Sequence, residues 1–146
     1  MSEPVSFPKN ELAKELRKIS ILGALSQSQL KQLANWAKVV AYDKGEAIVH
    51  RGDKGDGVYL ILDGAAEVRR GAKKIARLGE GQIFGEMSLF DDLPRSADVV
   101  AVEPSKMVVL QKWEFWGFAA GQPGVVLAIL AEMSRRLRAA DDALTA

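Results

Sequence analysis

The sequence predicts a mainly β fold with flanking α-helices, built as a sandwich or jelly-roll barrel, and two observations carry that expectation. Between residues 39 and 111, short β-branched runs alternate with turn signals at roughly regular spacing, the pattern of many short strands. Before and after this block, apolar residues recur at helical spacing instead. A first helix is expected over about 10–19, with Asn10 as its cap and Leu12, Leu16 and Ile19 on one face. A second is expected over about 28–36, capped by Ser26 or Ser28, with Leu30, Leu33 and Ala34 facing inward. The strand runs follow: 47–50 before the glycine-rich turn 51–57, then 58–62, 65–70 and 74–78. Asp63-Gly64 between two such runs reads as a hairpin turn. Residues 97–102 and 106–111 complete the strands, separated by the turn Glu103-Pro104-Ser105. Two helices close the chain over about 112–120 and 123–140, with Pro123 tolerated in the first turn. No linker, repeat or low-complexity tract interrupts this layout. The expectation is one domain over 1–146: helices in 1–37, the β block in 38–111, helices in 112–146.

Composition bounds the function. With 146 residues, 48% of them hydrophobic, the chain is long enough for a single packed core. The 20 basic and 19 acidic residues leave a net charge of +1, so no field draws the protein to nucleic acid or to an anionic membrane. Cysteine is absent, which excludes disulfides and thiol chemistry. No apolar run approaches the ~18 residues of a spanning helix, and the start MSEPVSFPKN is polar and proline-broken, unlike a signal peptide. A cytoplasmic protein is expected. His50 is the single histidine and reads as packed or hydrogen-bonded; without cysteine it cannot build a metal cluster. No nucleophile–base pair suggests itself around it, and no phosphate-binding P-loop occurs. Asp53, Asp56, Asp91 and Asp92 read as turn formers. No enzyme activity, metal or cofactor is expected.

The most informative stretch is 84–97, FGEMSLFDDLPRSA. Gly85 lets the backbone approach a ligand at the opening of an apparent helix, 86–90. Unpaired amides at such a start favour an anion. Nine residues after Glu86, Arg95 supplies a forked cation suited to a phosphate. Glu86, an acceptor-only group, suits a sugar hydroxyl rather than a phosphate. A ligand with one phosphate beside a free hydroxyl, a cyclic nucleotide, satisfies all of them.

In this order and spacing the stretch closely resembles the phosphate-binding cassette of the cyclic-nucleotide-binding domain family, whose members include the catabolite activator protein, regulatory subunits of cyclic-AMP-dependent protein kinase and gated channels. The family pattern is Phe-Gly-Glu, two residues, Leu, then Pro-Arg-Ser/Ala/Thr-Ala, and every element stands here without a gap. The resemblance covers the whole layout and implies an eight-stranded jelly-roll barrel with N-terminal helices, a short cassette helix and two C-terminal helices. It implies further that Arg95 pairs with the cyclic phosphate and Glu86 accepts from the ribose 2′-hydroxyl. Backbone groups around Gly85, Met87, Ser88 and Ala97 would contact ribose or phosphate oxygens. Ser88 stands where relatives often carry alanine or glycine, so its hydroxyl is expected to point elsewhere. Ser96 would bond the phosphate or the base and is compatible with cyclic AMP, the favoured ligand, and with cyclic GMP. The base would lie against Val49, Val68, Ile75 and Ala76, residues that otherwise read as ordinary barrel core.

The last helix carries a second signal. Val126, Leu130, Met133, Leu137, Ala140 and Leu144 form a short heptad seam, read as a face packing on the barrel or as a homodimer contact. In the family this helix swings over the ligand and passes occupancy to an output module. Arg135, Arg136 and Arg138 are candidates to stack on or bond to the base, although a solvated basic face is the simpler use of most of them. Where the activator protein places hydroxyl residues near the base, this chain reads Ala140-Asp141. Trp113, Phe115, Trp116 and Phe118 read as helix–barrel packing first and a partner-docking surface second. The implied function is a cyclic-nucleotide sensor whose partner is an effector protein or an output domain elsewhere. The alternatives are a vestigial structural or interaction module, or a fragment of a larger regulator or channel.

Overall fold

The computed structural model describes residues 2–19, 22–23, 25–55 and 57–145, so the turn role expected of Asp56 lies outside the described residues. The elements run β1 (Glu3–Val5), α1 (Lys9–Leu16), α2 (Gln27–Trp36), β2 (Lys38–Tyr42), β3 (Ala47–Val49), β4 (Gly57–Asp63), β5 (Ala65–Arg70), β6 (Lys73–Gly79) and β7 (Ile83–Phe84). A short 3-10 helix (Glu86–Leu89) follows, then β8 (Asp98–Ala101), β9 (Ser105–Gln111), α3 (Lys112–Ala119) and α4 (Pro123–Thr145). Strands β1-β2-β9-β4-β7 form one sheet and β3-β8-β5-β6 the other. All pairings are antiparallel. The eight strands β2–β9 are the expected barrel; β1 adds a short edge to β2 that the proline-broken start did not suggest.

The five-stranded sheet is buried on both faces, and strand alternation assigns its side chains. Val39, Val58, Leu60, Ile83, Val108 and Leu110 pack under the helices with Leu12, Leu16, Leu30, Leu33, Phe115, Val125 and Ile129. The intervening Tyr42, Ile61, Phe84 and Met107 point into the barrel, where they meet Val49, Ala66, Val99 and Ala101 of the other sheet. Burial raises the Tyr42 phenol to about 12, so it stays neutral among these apolar neighbours.

Ser26 caps α2 in a reciprocal box with Gln29. The first helix departs from expectation: it begins at Lys9 behind Pro8, without a side-chain cap, and Asn10 lies inside it. Proline fixes the entry angle there, so the asparagine is not needed. The final helix runs five residues past the expected 140, to Thr145.

Asp63-Gly64 is not a hairpin turn. Strand β4 pairs with β7 and β9, whereas β5 pairs with β6 and β8, so Gly64 carries the chain from one sheet to the other. It does so at a φ of 99°, against Ser105. The Ser105 hydroxyl accepts from Ala65 N at 3.2 Å and donates to Glu103 O at 2.8 Å. A Cβ at position 64 would collide with Ser105 Oγ and lie 2.7 Å from Pro104 O. Gly64→Ala is therefore expected to cost at least the ~1–2 kcal/mol of left-handed backbone, visible as a fall of several degrees in Tm.

Two further expectations lose one of their alternatives, the packing role of the heptad seam and the burial of His50, for reasons of geometry. Val125 and Ile129 are the α4 residues fully buried against the core, one position before Val126 and Leu130 of the heptad seam. Met133 and Val126 reach the core only partly, and Leu137 and Leu144 are 72% and 85% exposed, so the seam is not the packing face. His50 stands just past β3, exposed rather than packed, with Nδ1 3.4 Å from Asp53 Oδ2. Among the aromatics of α3, Phe115 and Phe118 are buried as expected, Trp113 stays largely in solvent, and Trp116 is partly covered by Phe90 and Phe115.

Candidate functional site

The chain leaves β7 at Phe84 and turns at Gly85, where φ is 80°. Only glycine adopts that conformation without cost, and space demands it as well. A Cβ there would lie 2.5 Å from Arg95 Nη1 and 2.9 Å from Gly57 O. What Gly85 admits here is the guanidinium of Arg95, where the sequence suggested room for the backbone to approach a ligand. Glu86–Leu89 then forms one 3-10 turn in place of the expected helix to residue 90. The loop beyond it is tied on both sides. Arg95 N donates to Asp53 O and Gly52 N to Arg95 O, each at 2.8 Å. From α3, Trp116 Nε1 donates to Leu89 O at 2.9 Å and Lys112 Nζ to Asp92 Oδ1 at 3.0 Å.

Arg95 is already oriented by the protein. Its Nη1 donates to Ser88 Oγ at 3.0 Å and its Nη2 to Gly57 O at 2.9 Å. The Ser88 hydroxyl, expected to point elsewhere, is buried and serves the arginine. Glu86 is 5% exposed, a burial that a carboxylate tolerates only with a partner. The partner comes from α4: Arg136 Nη1 pairs with Glu86 Oε1, and Arg136 Nη2 donates to Ile83 O at 2.9 Å. Glu132, one turn earlier, takes Arg135 at 2.5 Å and Arg136 at 3.4 Å. The hydrogen bond from Arg135, with a smaller contribution from Arg136, holds the Glu132 carboxyl below the usual carboxylate range.

These groups surround a cavity of about 450 Å³. Gly85, Glu86, Met87, Ser88, Arg95, Ser96 and Ala97 line one side, Arg136 closes in from α4, and Val49, Val68 and Ala76 line the opposite wall. Of the residues expected at the site, Ile75 alone does not line it; it is 45% exposed. Adjacent strand residues face opposite ways, so Ala76 and Ile75 cannot share the wall. A bulge adds to this: Val68 opposes Ala76 and Arg69 opposes Lys74, leaving Ile75 without an opposite number. Leu78, Gln82, Phe84 and Val99 also line the cavity, with Asp91, Leu93 and Pro94 of the loop, none of them expected at the site. Period-two alternation from Ala76 would have found Leu78. Arg135 and Arg138 are not among the lining residues, so one of the three candidate arginines reaches the cavity.

Residues 39–122 match the family model of the cyclic nucleotide-binding domain. The chain belongs to that family. The cyclic AMP receptor protein of Thermus thermophilus is 36% identical over 105 residues, covering 68% of this chain and 49% of that protein. A cAMP-dependent protein kinase regulatory subunit of Eremothecium gossypii is 36% identical over 112 residues, covering 75% of this chain and 24% of the relative. A solved cyclic nucleotide-binding domain from Methylobacillus flagellatus superposes with a TM-score of 0.82 at 27% identity, over 99% of this chain and 88% of that one. The chain thus spans about half the length of the receptor protein and about a quarter of the kinase subunit. These relatives are named as receptor and regulatory proteins. In this cyclic nucleotide-binding domain the stretch 84–97 spans the connection from β7 to β8, and Arg136 of α4 lines the same cavity. Among the described residues no group of acidic or histidine side chains is placed to hold a metal, and no helix is long and apolar enough to cross a membrane.

Proposed function

We propose that the chain is a cyclic AMP sensor that binds the nucleotide in the cassette cavity and reports occupancy through α4. The observation that carries this reading is the convergence of Arg95 and Glu86 on one cavity whose far wall is apolar. The guanidinium suits the cyclic phosphate, the carboxylate suits the ribose 2′-hydroxyl, and Val49, Val68, Ala76 and Leu78 offer a dry surface to the base. That the relatives are named for cyclic AMP supports this choice of nucleotide. Ser96 at the cavity edge leaves cyclic GMP as the competitor to test.

The route of signalling follows from Arg136. A ribose hydroxyl arriving at Glu86 must share or displace an arginine carried by the last helix. Occupancy then changes what holds α4 against the barrel, and the shift can be no larger than the ligand's preference for one helix position over the other. The exposed apolar residues Leu130, Leu137 and Leu144 are the surface through which a second copy or an effector would read that position.

Calorimetric titration with cyclic AMP, cyclic GMP and 2′-deoxy cyclic AMP tests the reading. Cyclic AMP is expected to bind, and its deoxy analogue to bind about tenfold or more weakly, the worth of a hydrogen bond to a charged acceptor. No heat with either cyclic nucleotide would overturn it and leave the domain as a structural or interaction module.

A further inference from the structure

Arg95 has a third neighbour that neither the cassette pattern nor its hydrogen bonds reveal. Its Cζ lies 5.8 Å from the centroid of the Tyr59 ring, over the ring face. Tyr59 sits on β4, two residues beyond Gly57, whose carbonyl takes Arg95 Nη2. The ring itself is fixed: it is paired with Phe84 across the β4–β7 ladder and stacks on it with centroids 4.9 Å apart and planes 3° from parallel. Phe84 immediately precedes Gly85 and lines the cavity.

We infer that Tyr59 is a positioning residue for the phosphate-binding arginine: its ring face, held rigid by Phe84, and the Gly57 carbonyl together pin the Arg95 guanidinium before any ligand arrives. The inference rests on the reading of Arg95 as the phosphate ligand. A guanidinium is attracted to an aromatic face by the ring's quadrupole. This attraction uses none of the guanidinium's N–H donors, which stay available to other partners. Two of those N–H groups go to Ser88 and Gly57, and the same guanidinium lines the cavity that would take an anion. A long, flexible side chain that must bind a phosphate otherwise loses rotamer freedom on binding; prior immobilisation removes that cost. Tyr59 does this without touching the cavity, since it is not among the residues that line it.

The test replaces position 59 by phenylalanine and then by mono-, di- and trifluorophenylalanine, which drain the ring face of negative charge while nearly keeping its shape. Cyclic AMP affinity is read by calorimetry and Tm is followed alongside. With Tyr59→Phe as the reference of the series, affinity is expected to fall stepwise with fluorination, reaching about 2- to 30-fold, at nearly constant Tm. Two results would overturn the inference: a flat affinity across the series from Tyr59→Phe onward, or a loss that follows Tm rather than fluorination. A parent protein that binds no cyclic nucleotide would remove both this inference and the proposed function. A parent that binds, loses affinity on Arg95→Ala and stays flat across the fluorinated series would remove this inference alone.

Discussion

Arg95→Ala is expected to weaken cyclic AMP binding by about 30- to several-thousand-fold, the consequence of removing one partner from a desolvated charge pair worth about 2–5 kcal/mol. The upper part of that range is favoured because Arg95 is pre-placed. Ser88 Oγ and Gly57 O hold its two terminal nitrogens in the free protein, so little of the interaction is spent on ordering the side chain. Truncation also leaves the buried Ser88 hydroxyl without its donor, so part of the loss reflects local rearrangement rather than the phosphate contact alone. Isothermal titration of parent and variant measures the ratio, and circular dichroism shows whether the barrel is retained. Equal affinity in a folded variant would remove the phosphate role from Arg95.

Gly85→Ala is expected to approach the same loss without touching a ligand-facing side chain. The added Cβ would stand 2.5 Å from Arg95 Nη1 and 2.9 Å from the Gly57 carbonyl, so the arginine must leave the position that Gly57 and Ser88 define for it. The residue must also keep a φ of 80°, which costs about 1–2 kcal/mol for a side chain. Gly45→Ala separates the two effects. Gly45 has a φ of 87° but nothing within 4 Å of an added Cβ. Both variants are expected to lose a few degrees of Tm, and Gly85→Ala alone is expected to lose affinity by tenfold or more. Equal affinities in the two variants would mean that Arg95 tolerates displacement.

Where the sequence was legible, the reason was local chemistry. The cap at Ser26, one of the two serines expected there, and the short strand runs that form β4 and β9 each depend on neighbours a few residues away. Gly85 is expected to let the backbone approach a ligand; the φ of 80° and the space taken by Arg95, a residue ten positions later, come only from the structure. The Asp63-Gly64 turn shows the limit most clearly. The dipeptide signals a reversal of the chain, yet it cannot say whether the next strand pairs beside the last or crosses to the other sheet. Ile75 shows it on a smaller scale, since a bulge changes the facing of residues in a way that composition does not record.

By itself the sequence determined the class of fold and singled out the stretch 84–97 with Glu86 and Arg95 as the proposed site, because a site for a phosphate and a hydroxyl would leave its residue types in one contiguous stretch. Only the tertiary structure decided what those two residues hold before a ligand comes. Arg136 lies fifty positions from Glu86 and Gly57 thirty-eight from Arg95. Such partners are chosen by where α4 and β4 pack, through burial spread over many apolar side chains. A buried carboxylate and a forked cation each require partners, and nothing in the local sequence says which element will supply them.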